Sequence, residues 1–290
     1  AMRRDPSDII RANNLYYVWY SKGNVVAGYE ATVWYATSPD GHEWTEKGEA
    51  VARGLVGAWD EQSVFTPSIL VAEGRFWLFY TGVPKPFVGG LGNQVTKTAI
   101  GMAVSDSPNG PWKKLAANPV LRTSEDTDLF DSMRVDDACL LIRDGRYWLY
   151  YKGRQWDRPY TETKMGVAIA DKPGGPYVKH VGNPVVRGGH EVLVWPYGIG
   201  VVSLTSIGPE GIRRTLQHAL DGLTFTKIAD LDGVPFAPGA YRPEAFTDSG
   251  KGEMIEWGVH IGSHKGTLPF LERFDCNWGK TKLPGRGVRG

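Results

Sequence analysis

The sequence predicts an all-β chain folded as a five-bladed β-propeller, and three observations lead to that prediction. A strand pattern returns along the chain, tight-turn residues separate the strands, and aromatic residues fill them, with 11 Trp, 13 Tyr and 10 Phe among 290 residues. Aromatic strands punctuated by Gly and Pro are typical of all-β proteins. Four strands per repeat is the content of one propeller blade.

Each of the first three repeats begins with a strand, a tight turn and an aromatic strand. The pattern reads DPSDIIRANNLYYVWY from Asp5, TPSILVAEGRFWLFY from Thr66 and DACLLIRDGRYWLYY from Asp137. The turns NN, EG and DG are hairpin signals. A second half follows each time, reading VWYATSPDGHEW, GMAVSDSPNGPW and GVAIADKPGGPY, and it supplies the other two strands.

Weaker copies of the pattern fill the rest of the chain. A fourth unit begins near HEVLVWPYGIGVVSLTS and a fifth near YRPEAFTDSGKGEMIEWGVH. No long polar linker interrupts the repeats, so residues 1–290 are predicted to form a single propeller domain. A β-sandwich would leave this periodicity without an explanation.

Charge and hydropathy argue against two classes of partner. The 33 Lys and Arg residues nearly balance the 32 Asp and Glu residues, which leaves a net charge of +1. This balance provides no electrostatic basis for binding nucleic acid or an anionic membrane surface. No apolar run approaches the ~18 residues of a membrane span. We therefore expect neither nucleic acid nor a membrane as a partner.

The residues that start the innermost strands are predicted to crowd one mouth of the central channel, because these strands ring the propeller axis. A proline suits a strand start, where its missing N–H is least needed, and it favours an extended backbone for the residue before it. The predicted blade-start residues are Asp5, Thr66, Asp137, the pair His190 and Glu191, and Glu244.

Acidic side chains at several blade starts indicate chemistry. An Asp at a strand start often only accepts hydrogen bonds from nearby backbone N–H groups. Carboxylates that converge in one pocket, however, lose hydration and repel one another. Glycoside hydrolysis uses two such groups, which stand roughly 6.5–9.5 Å apart in inverting enzymes. His190 adds a group whose ordinary pKa of about 6.5 suits proton transfer.

Metal and cofactor signals are weak. His260 and His264 have the four-residue spacing of a helical zinc pair, but the segment VHIGSH reads as strand and loop. Hydrolysis by two carboxyl groups needs no cofactor. A divalent cation among the carboxylates of the central channel is allowed by the pattern but is not required.

Nine motifs, taken in order, carry a resemblance to a known family. They are RRDPS, YYVWY, WYATSPDG, SVFTP, GMAVSDSPNGPW, YWLYYKG, GVAIADKPGGPYVK, GHE with WPY, and RFDC, and they span Arg3 to Cys276. In this order and spacing the chain resembles glycoside hydrolase family 117, the α-1,3-(3,6-anhydro)-L-galactosidases or neoagarobiose hydrolases. The resemblance implies a five-bladed propeller and an exo-acting, inverting hydrolase that releases terminal 3,6-anhydro-L-galactose from agar-type oligosaccharides.

The resemblance also implies roles for individual residues. Asp5 matches the general base that activates water, and Asp137 matches the residue that holds the sugar and tunes the acid. His190 matches the general acid, with Glu191 beside it setting its orientation and pKa. The residues expected to contact the sugar are Trp34, Thr66, Thr81 and, from the blade-start pattern, Glu244.

The chain departs from the family pattern at three places. Asp136 and Ala138 stand where the family often has His and Pro, and Thr81 stands where a substrate-contacting Gln is common. A related anhydro- or galacto-configured sugar is therefore an alternative substrate. The helical N-terminal segment through which the family forms swapped dimers is expected to be absent, and a homodimer is still allowed. The expected compartment is bacterial cytoplasm or periplasm.

Two other functions fit the same pattern. One is a five-bladed furanosidase or xylosidase, in which Glu191 rather than His190 would be the acid. The other is a non-catalytic propeller that binds carbohydrate, against which the converging acidic residues argue.

Overall fold

Five antiparallel sheets follow one another along the chain and form a ring. The structure is a computed structural model and describes residues 1–24, 30–87, 96–248, 252–279, 281 and 285. Each sheet is built from one continuous stretch of chain and forms one blade. The predicted five-bladed β-propeller is therefore confirmed.

The first three blades contain fourteen of the strands. Blade one consists of β1 (Met2–Arg4), β2 (Ile10–Ala12), β3 (Leu15–Gly23), β4 (Thr32–Ser38) and β5 (Thr45–Val51). Blade two consists of β6 (Ser63–Ala72), β7 (Arg75–Val83), β8 (Ala99–Ser105), β9 (Lys113–Lys114) and β10 (Leu121–Arg122). Blade three consists of β11 (Arg134–Arg143), β12 (Arg146–Arg154), β13 (Lys164–Ala170) and β14 (Val178–Lys179).

The last two blades are smaller. Blade four consists of β15 (Val192–Tyr197), β16 (Gly200–Thr205), β17 (Thr215–Ala219) and β18 (Thr226–Asp230). Blade five consists of β19 (Gly239–Ala240), β20 (Trp257–Gly262) and β21 (Phe270–Asp275). Two short 3-10 helices span Tyr160–Glu162 and Pro243–Phe246. Within the described ranges, no helix has the length and apolar character that crossing a membrane requires.

The aromatic strand that pairs with the innermost strand of each blade is buried on both faces, because its blade lies between two neighbouring blades. In β3, Tyr17 and Trp19 pack toward blade two, whereas Val18 and Tyr20 pack toward blade five. Successive side chains of a strand point to opposite faces, so one run of large residues supplies both interfaces. Each such side chain contributes about 1.5–3 kcal/mol on burial. The aromatic strands are thus explained by packing.

An aromatic residue followed by Asp anchors the linkers that lead into the inner strands of blades two and three. The Trp59 ring lies so close to Gly82 that a Cβ there would come within 2.3 Å of it. Asp60 accepts a hydrogen bond from Lys114 Nζ at 2.6 Å. Phe130–Asp131 repeats the arrangement in blade three. These anchors set where the next inner strand begins.

The ring closes between blades one and five without a shared strand. Asp8 accepts a hydrogen bond from the backbone N–H of Ala240 at 3.0 Å and forms a buried ion pair with Arg242. Ile9 donates its backbone N–H to the carbonyl of Ala240 at 2.9 Å, and it forms a parallel bridge with Tyr241. Removing one partner of a buried ion pair costs about 3–5 kcal/mol, so closure depends on this contact.

Candidate active site

The blade starts meet at one end of the propeller axis. A two-residue segment from each blade lines a small axial space: Asp5–Pro6, Thr66–Pro67, Asp137–Ala138, Glu191–Val192 and Ala237–Pro238. The structure therefore brings together four of the residues that the sequence singled out, each from a different blade.

Glu244 does not start the fifth blade, so this prediction is wrong. The inner strand β19 begins at Gly239, directly after Ala237–Pro238. Glu244 lies beyond that strand in the second 3-10 helix, in a different pocket that Trp195 also lines. Tyr-Arg-Pro-Glu resembles an acidic, Pro-bearing strand start, but Glu244 lies seven residues after Ala237, the residue that lines the axial space.

The blade-start residues Thr66 and Asp137 lie in bulges, three residues inside β6 and β11, so the prediction that they are the first residues of these strands is wrong. Thr66–Pro67 and Asp137–Ala138 lie where the register with the neighbouring strand shifts, so that two residues oppose one. A β-bulge of this kind bends the strand and turns a side chain in a new direction. Here it turns the side chains of these segments toward the axis, where they line the shared space.

Four of the residues that line the axial space have a left-handed backbone. The φ angles are 50° at Asp5, 44° at Thr66, 49° at Asp137 and 46° at Ala237. The extended backbone predicted for Asp5 from Pro6 is therefore wrong. Each non-glycine residue in this region costs about 1–2 kcal/mol of backbone strain.

A second layer of side chains holds Asp5 and Thr66 in place. Ser21 Oγ lies 3.3 Å from Asp5 Oδ2 and accepts the backbone N–H of Thr66 at 2.9 Å. The hydroxyls of Thr81 and Thr66 are 2.6 Å apart. Thr81 is buried and acts through Thr66, so the structure gives it a positioning contact beside the axis.

Lys152 on β12 of blade three occupies the position that Thr81 occupies on β7 of blade two. It is a site residue that was not predicted from the sequence. Its Nζ lies 2.5 Å from Asp137 Oδ2 and 3.6 Å from Asp136 Oδ1, and all three side chains are buried. Burial lowers the pKa of Lys152, but the two carboxylates outweigh burial and raise it. Burial raises the pKa of Asp136 to about 6, against the opposing effect of Lys152. The Lys in YWLYYKG was the available signal.

A cavity of about 300 Å³ opens beside the axial space. Every blade or the linker before it contributes to the lining, through Asp5, Thr66, Asp137, Glu191 and Phe236. Its volume is at the lower end of the range for small-ligand pockets, which suits a terminal sugar.

Asp5 is a buried carboxylate with a cationic neighbour. Arg4 Nε donates to both carboxylate oxygens, at 2.9 Å and 3.1 Å. Burial raises the pKa of Asp5, and Arg4 opposes that rise by favouring the charged form. Asp5 can therefore act as a base that is stronger than an exposed Asp.

His190 and Glu191 differ in protonation. Burial lowers the pKa of His190 to about 2, and Lys152 and Arg4 add to that effect. Burial raises the pKa of Glu191 well above its usual value, and the neighbouring Asp137 adds to the rise. His190 Nε2 lies 3.7 Å from Glu191 Oε1. At neutral pH the histidine is thus uncharged, whereas burial favours the protonated form of the glutamate, which can donate that proton.

Trp34 is on β4 of blade one and is not among the residues that line this cavity. Its indole Nε1 donates to Thr32 Oγ1 at 2.9 Å, and Lys22 Nζ lies 3.5 Å from a Trp34 ring centroid. The structure does not bring Trp34 among the cavity-lining side chains, so its contact with sugar stays a prediction.

The axial carboxylates do not fit a divalent cation. Lys152 already places its ammonium group between Asp136 and Asp137, where an ion shared by these acids would lie. Among the residues that the structure describes, no group of three or more His, Cys, Asp and Glu side chains could hold a metal ion. His260, from the candidate zinc pair, instead lies 3.4 Å from Glu272.

Comparison with known proteins agrees with the fold. The structure is similar to Zg3597, a family 117 glycoside hydrolase of the marine bacterium Zobellia galactanivorans, with a TM-score of 0.84 and 31% identity over 94% of this chain and 84% of that protein. The family model for glycosyl hydrolases family 43 matches residues 1–138.

Two arabinan-related proteins are more distant. An extracellular endo-α-(1→5)-L-arabinanase of Thermotoga petrophila is 25% identical over 220 residues, which are 68% of this chain and 42% of that relative. The chain therefore spans less than half the length of this curated relative. An endo-arabinase of Bacteroides thetaiotaomicron has a TM-score of 0.63 at 16% identity, covering 98% of this chain and 97% of that protein, and shows only that the fold is shared.

Blade-start carboxyl groups that meet in one cavity of a five-bladed propeller fit a glycoside hydrolase, and the comparisons show that class. Because the similarity to Zg3597 exceeds 30% identity over most of both chains, the chain belongs to glycoside hydrolase family 117. The resemblance found in the sequence is therefore confirmed.

Proposed function

We propose that this glycoside hydrolase is exo-acting and inverting, and that it releases a terminal α-linked 3,6-anhydro-L-galactose, or a related sugar, from agar-type oligosaccharides. Membership of family 117 supports the substrate class. The observation that carries the mechanism is that buried carboxyl groups from blades one and four, Asp5 and Glu191, line one small cavity.

The reaction needs one proton donor and one proton acceptor. Glu191 donates its proton to the glycosidic oxygen as the bond from that oxygen to the anomeric carbon breaks. Asp5 takes a proton from a water molecule, whose oxygen bonds to the opposite face of the same carbon. The released sugar has an inverted anomeric configuration, and proton exchange with solvent returns Glu191 to the acid and Asp5 to the carboxylate.

Glu191 is a better candidate for the acid than His190, which the family resemblance assigned to that role. A histidine with a pKa of about 2 carries no proton to donate as a cation near neutral pH. Its Nδ1 lies 3.2 Å from the carbonyl oxygen of Tyr160, an acceptor, which favours the tautomer with the proton on Nδ1. Nε2 is then free of a proton and can accept a hydrogen bond from a sugar hydroxyl.

Product analysis tests the proposed reaction. Neoagaro-, porphyran- and carrageenan-type oligosaccharides are incubated with the protein, the products are separated by mass, and the anomeric protons are followed by NMR from the first turnover. A monosaccharide from the non-reducing end with inverted configuration is the expected result. Internal cleavage, or a product of retained configuration, would refute the exo-acting inverting mechanism.

A second candidate is hydrolysis of arabinofuranosides or xylosides. The family 43 match over residues 1–138 and the arabinanase relative favour it. Aryl arabinofuranosides and aryl xylosides separate the two candidates, because the proposed enzyme should leave both untouched while it cleaves a galactan oligosaccharide. The non-catalytic alternative has no support, because the chain belongs to a family of hydrolases.

A further inference from the structure

Three aromatic side chains are exceptions to the burial that explains the aromatic strands. In the part of the chain that the structure describes, only Trp156, Tyr160 and Phe236 among the Trp, Tyr and Phe residues are exposed, by 38%, 44% and 41%. Single exposed apolar residues are normal on a protein surface. Tyr160 and Phe236, however, both line the cavity of about 300 Å³. Two of the three exposed aromatic rings therefore lie at the candidate active site.

Tyr160 belongs to a segment whose backbone is fixed although its side chains are exposed. It begins a 3-10 helix that buries none of its side chains. The buried Thr163 donates its hydroxyl to the carbonyl oxygen of Tyr160 at 2.9 Å, and His190 Nδ1 lies 3.2 Å from the same oxygen. Earlier in the segment, Trp156 donates its backbone N–H to Ser132 Oγ at 2.9 Å. A side chain on a fixed backbone has less freedom to lose when it binds a ligand.

The Tyr160 ring lies beside the residues that deliver the proton. The centroids of the Tyr160 and His190 rings are 5.4 Å apart, and the ring planes meet at 69°. Glu191 follows His190 in the chain, and all three residues line the cavity. A general acid protonates the oxygen of the leaving group, so the sugar beyond the cleaved bond must lie close to Glu191. Tyr160 is therefore on the leaving-group side of the cavity.

The two exposed rings differ in their position relative to the axis. Phe236 directly precedes Ala237, which lines the axial space where Asp5 and Glu191 meet. Tyr160 lines the larger cavity but not that axial space. A sugar that extends from the axis past Glu191 would thus reach Tyr160 with its second unit. An aromatic side chain there supplies a large apolar contact area.

We infer that Tyr160 is a specificity-determining residue, because the apolar face of the second sugar, the leaving group, packs on its ring. This inference rests on the proposed glycosidase function and adds a requirement for a pyranose in the leaving-group position. A galactose-configured pyranose carries adjacent C–H groups on one face, and these can pack on an aromatic ring. The ring contacts the sugar that leaves, whereas Asp5 and Glu191 act on the bond to the terminal sugar.

Steady-state kinetics with a disaccharide provide the first test. Tyr160→Leu should raise KM for neoagarobiose about tenfold and change kcat by less than about twofold, because a contact with the leaving sugar is lost equally from the ground state and the transition state. Tyr160→Phe should behave like wild type, since it keeps the ring and removes only the hydroxyl. An unchanged KM in a folded Tyr160→Leu protein would contradict the inference.

Trp156→Leu is the matched control. Trp156 is an exposed aromatic residue four positions before Tyr160, and it is not among the residues that line the cavity. Its replacement should leave KM for neoagarobiose unchanged. If Trp156→Leu raises KM as much as Tyr160→Leu does, the effect comes from disturbance of the segment, and the inference is wrong.

Calorimetry on Asp5→Asn, which should bind sugar without cleaving it, separates the two sugars of the substrate. Adding Tyr160→Leu should weaken binding of neoagarobiose about tenfold and leave binding of the monosaccharide 3,6-anhydro-L-galactose unchanged, because the monosaccharide lacks the leaving sugar. Equal weakening of both ligands would show that Tyr160 contacts the terminal sugar, and it would overturn the inference.

The same measurement distinguishes failure of the proposed function from failure of this inference. If Asp5→Asn binds xylobiose and no galactan oligosaccharide, the proposed substrate is wrong, and the comparison is made with xylobiose and xylose. Weaker binding of the disaccharide alone after Tyr160→Leu then still supports the role of Tyr160, whereas equal weakening refutes it. Binding of no oligosaccharide to Asp5→Asn would refute both proposals.

Discussion

At the axis, the first and fifth blades have the same backbone conformation but carry side chains of different chemistry. Asp5 and Ala237 both have left-handed φ angles, 50° and 46°, and both precede a proline. Asp5 offers a buried carboxylate beside Arg4, whereas Ala237 offers only a methyl group. The strain is therefore a property of the propeller and does not by itself mark a catalytic residue. The side chain placed on the strained backbone decides the function.

The largest expected effect tests the carboxylate of blade one. Asp5→Asn should lower kcat about 10³–10⁴-fold, because Asn cannot accept a proton from water. Asn tolerates a left-handed backbone, so circular dichroism and the thermal midpoint should stay close to wild type. Asp106→Asn, at an exposed carboxylate, is the control and should keep full activity. Near-normal turnover by Asp5→Asn would remove it from the mechanism.

The second-largest expected effect tests whether Glu191 or His190 is the general acid. Glu191→Gln should lower kcat about 10²–10³-fold and abolish the basic limb of the pH profile. Burial raises the pKa of Glu191, so activity that needs its proton should be lost at a higher pH than for an ordinary glutamate, as pH rises through that raised pKa.

His190→Gln is the comparison for this pair. It should lower activity but preserve the basic limb, because His190, with a pKa of about 2, does not titrate there. Measurement of kcat/KM from pH 5 to 9 decides between them. If the His190 variant loses the basic limb while the Glu191 variant keeps it, the histidine is the acid.

The third effect is on the free energy of unfolding and concerns Lys152 and Thr81, the buried side chains that contact Asp137 and Thr66. Lys152→Met should lower the free energy of unfolding by about 3–5 kcal/mol, because it leaves Asp136 and Asp137 buried without their cation. Thr81→Val, at the matched position of blade two, should cost only about 1–3 kcal/mol. Urea unfolding measures both.

The pH dependence of that loss gives a further check. With Lys152 present the pKa of Asp136 is about 6, and Lys152 lowers it, so in Lys152→Met the pKa of Asp136 should be higher still. The carboxylate is then neutral at pH 5, and the loss caused by Lys152→Met should be smaller at pH 5 than at pH 8. A loss that is equal at pH 5 and pH 8 would show that charge is not its cause.

The smallest effect tests the strain in blade five. Ala237→Gly should raise the free energy of unfolding by up to about 1 kcal/mol, because relief of about 1–2 kcal/mol of strain exceeds the entropic cost of Gly. Ala240→Gly, three residues away in β19, has no left-handed φ to relieve and should destabilise. Equal losses for both variants would mean that the left-handed backbone carries no strain.

Much of the fold was accessible from the sequence, because each blade repeats the same local signals. The aromatic strands and the hairpin turns indicated the blade number, and four of the predicted blade-start residues, Asp5, Thr66, Asp137 and Glu191, lie at the axis as expected. Blade five was misplaced because its inner strand has only two residues, Gly239–Ala240, and no aromatic hairpin partner follows immediately. A short strand leaves too little pattern to detect.

The site was less accessible, because it depends on contacts between blades. Lys152 and Arg154 look like the polar end of a strand until the register places them opposite Asp136 and Arg134. The protonation of His190 and Glu191 follows from burial, which local sequence does not report. The left-handed backbone of Asp5 was not predicted, because it depends on how the chain turns toward the axis and not on Pro6 alone.

The closure between Asp8 and Arg242 has a consequence for biosynthesis. Each sheet can form from its own segment as the chain leaves the ribosome, since among the described residues no strand is shared between the ends of the ring. The cavity, however, includes Phe236 and needs blade five seated against blade one. We therefore expect nascent chains that stop before Arg242 to contain folded blades but to bind no sugar. Sugar binding should appear when blade five docks against blade one, which is the last step of assembly.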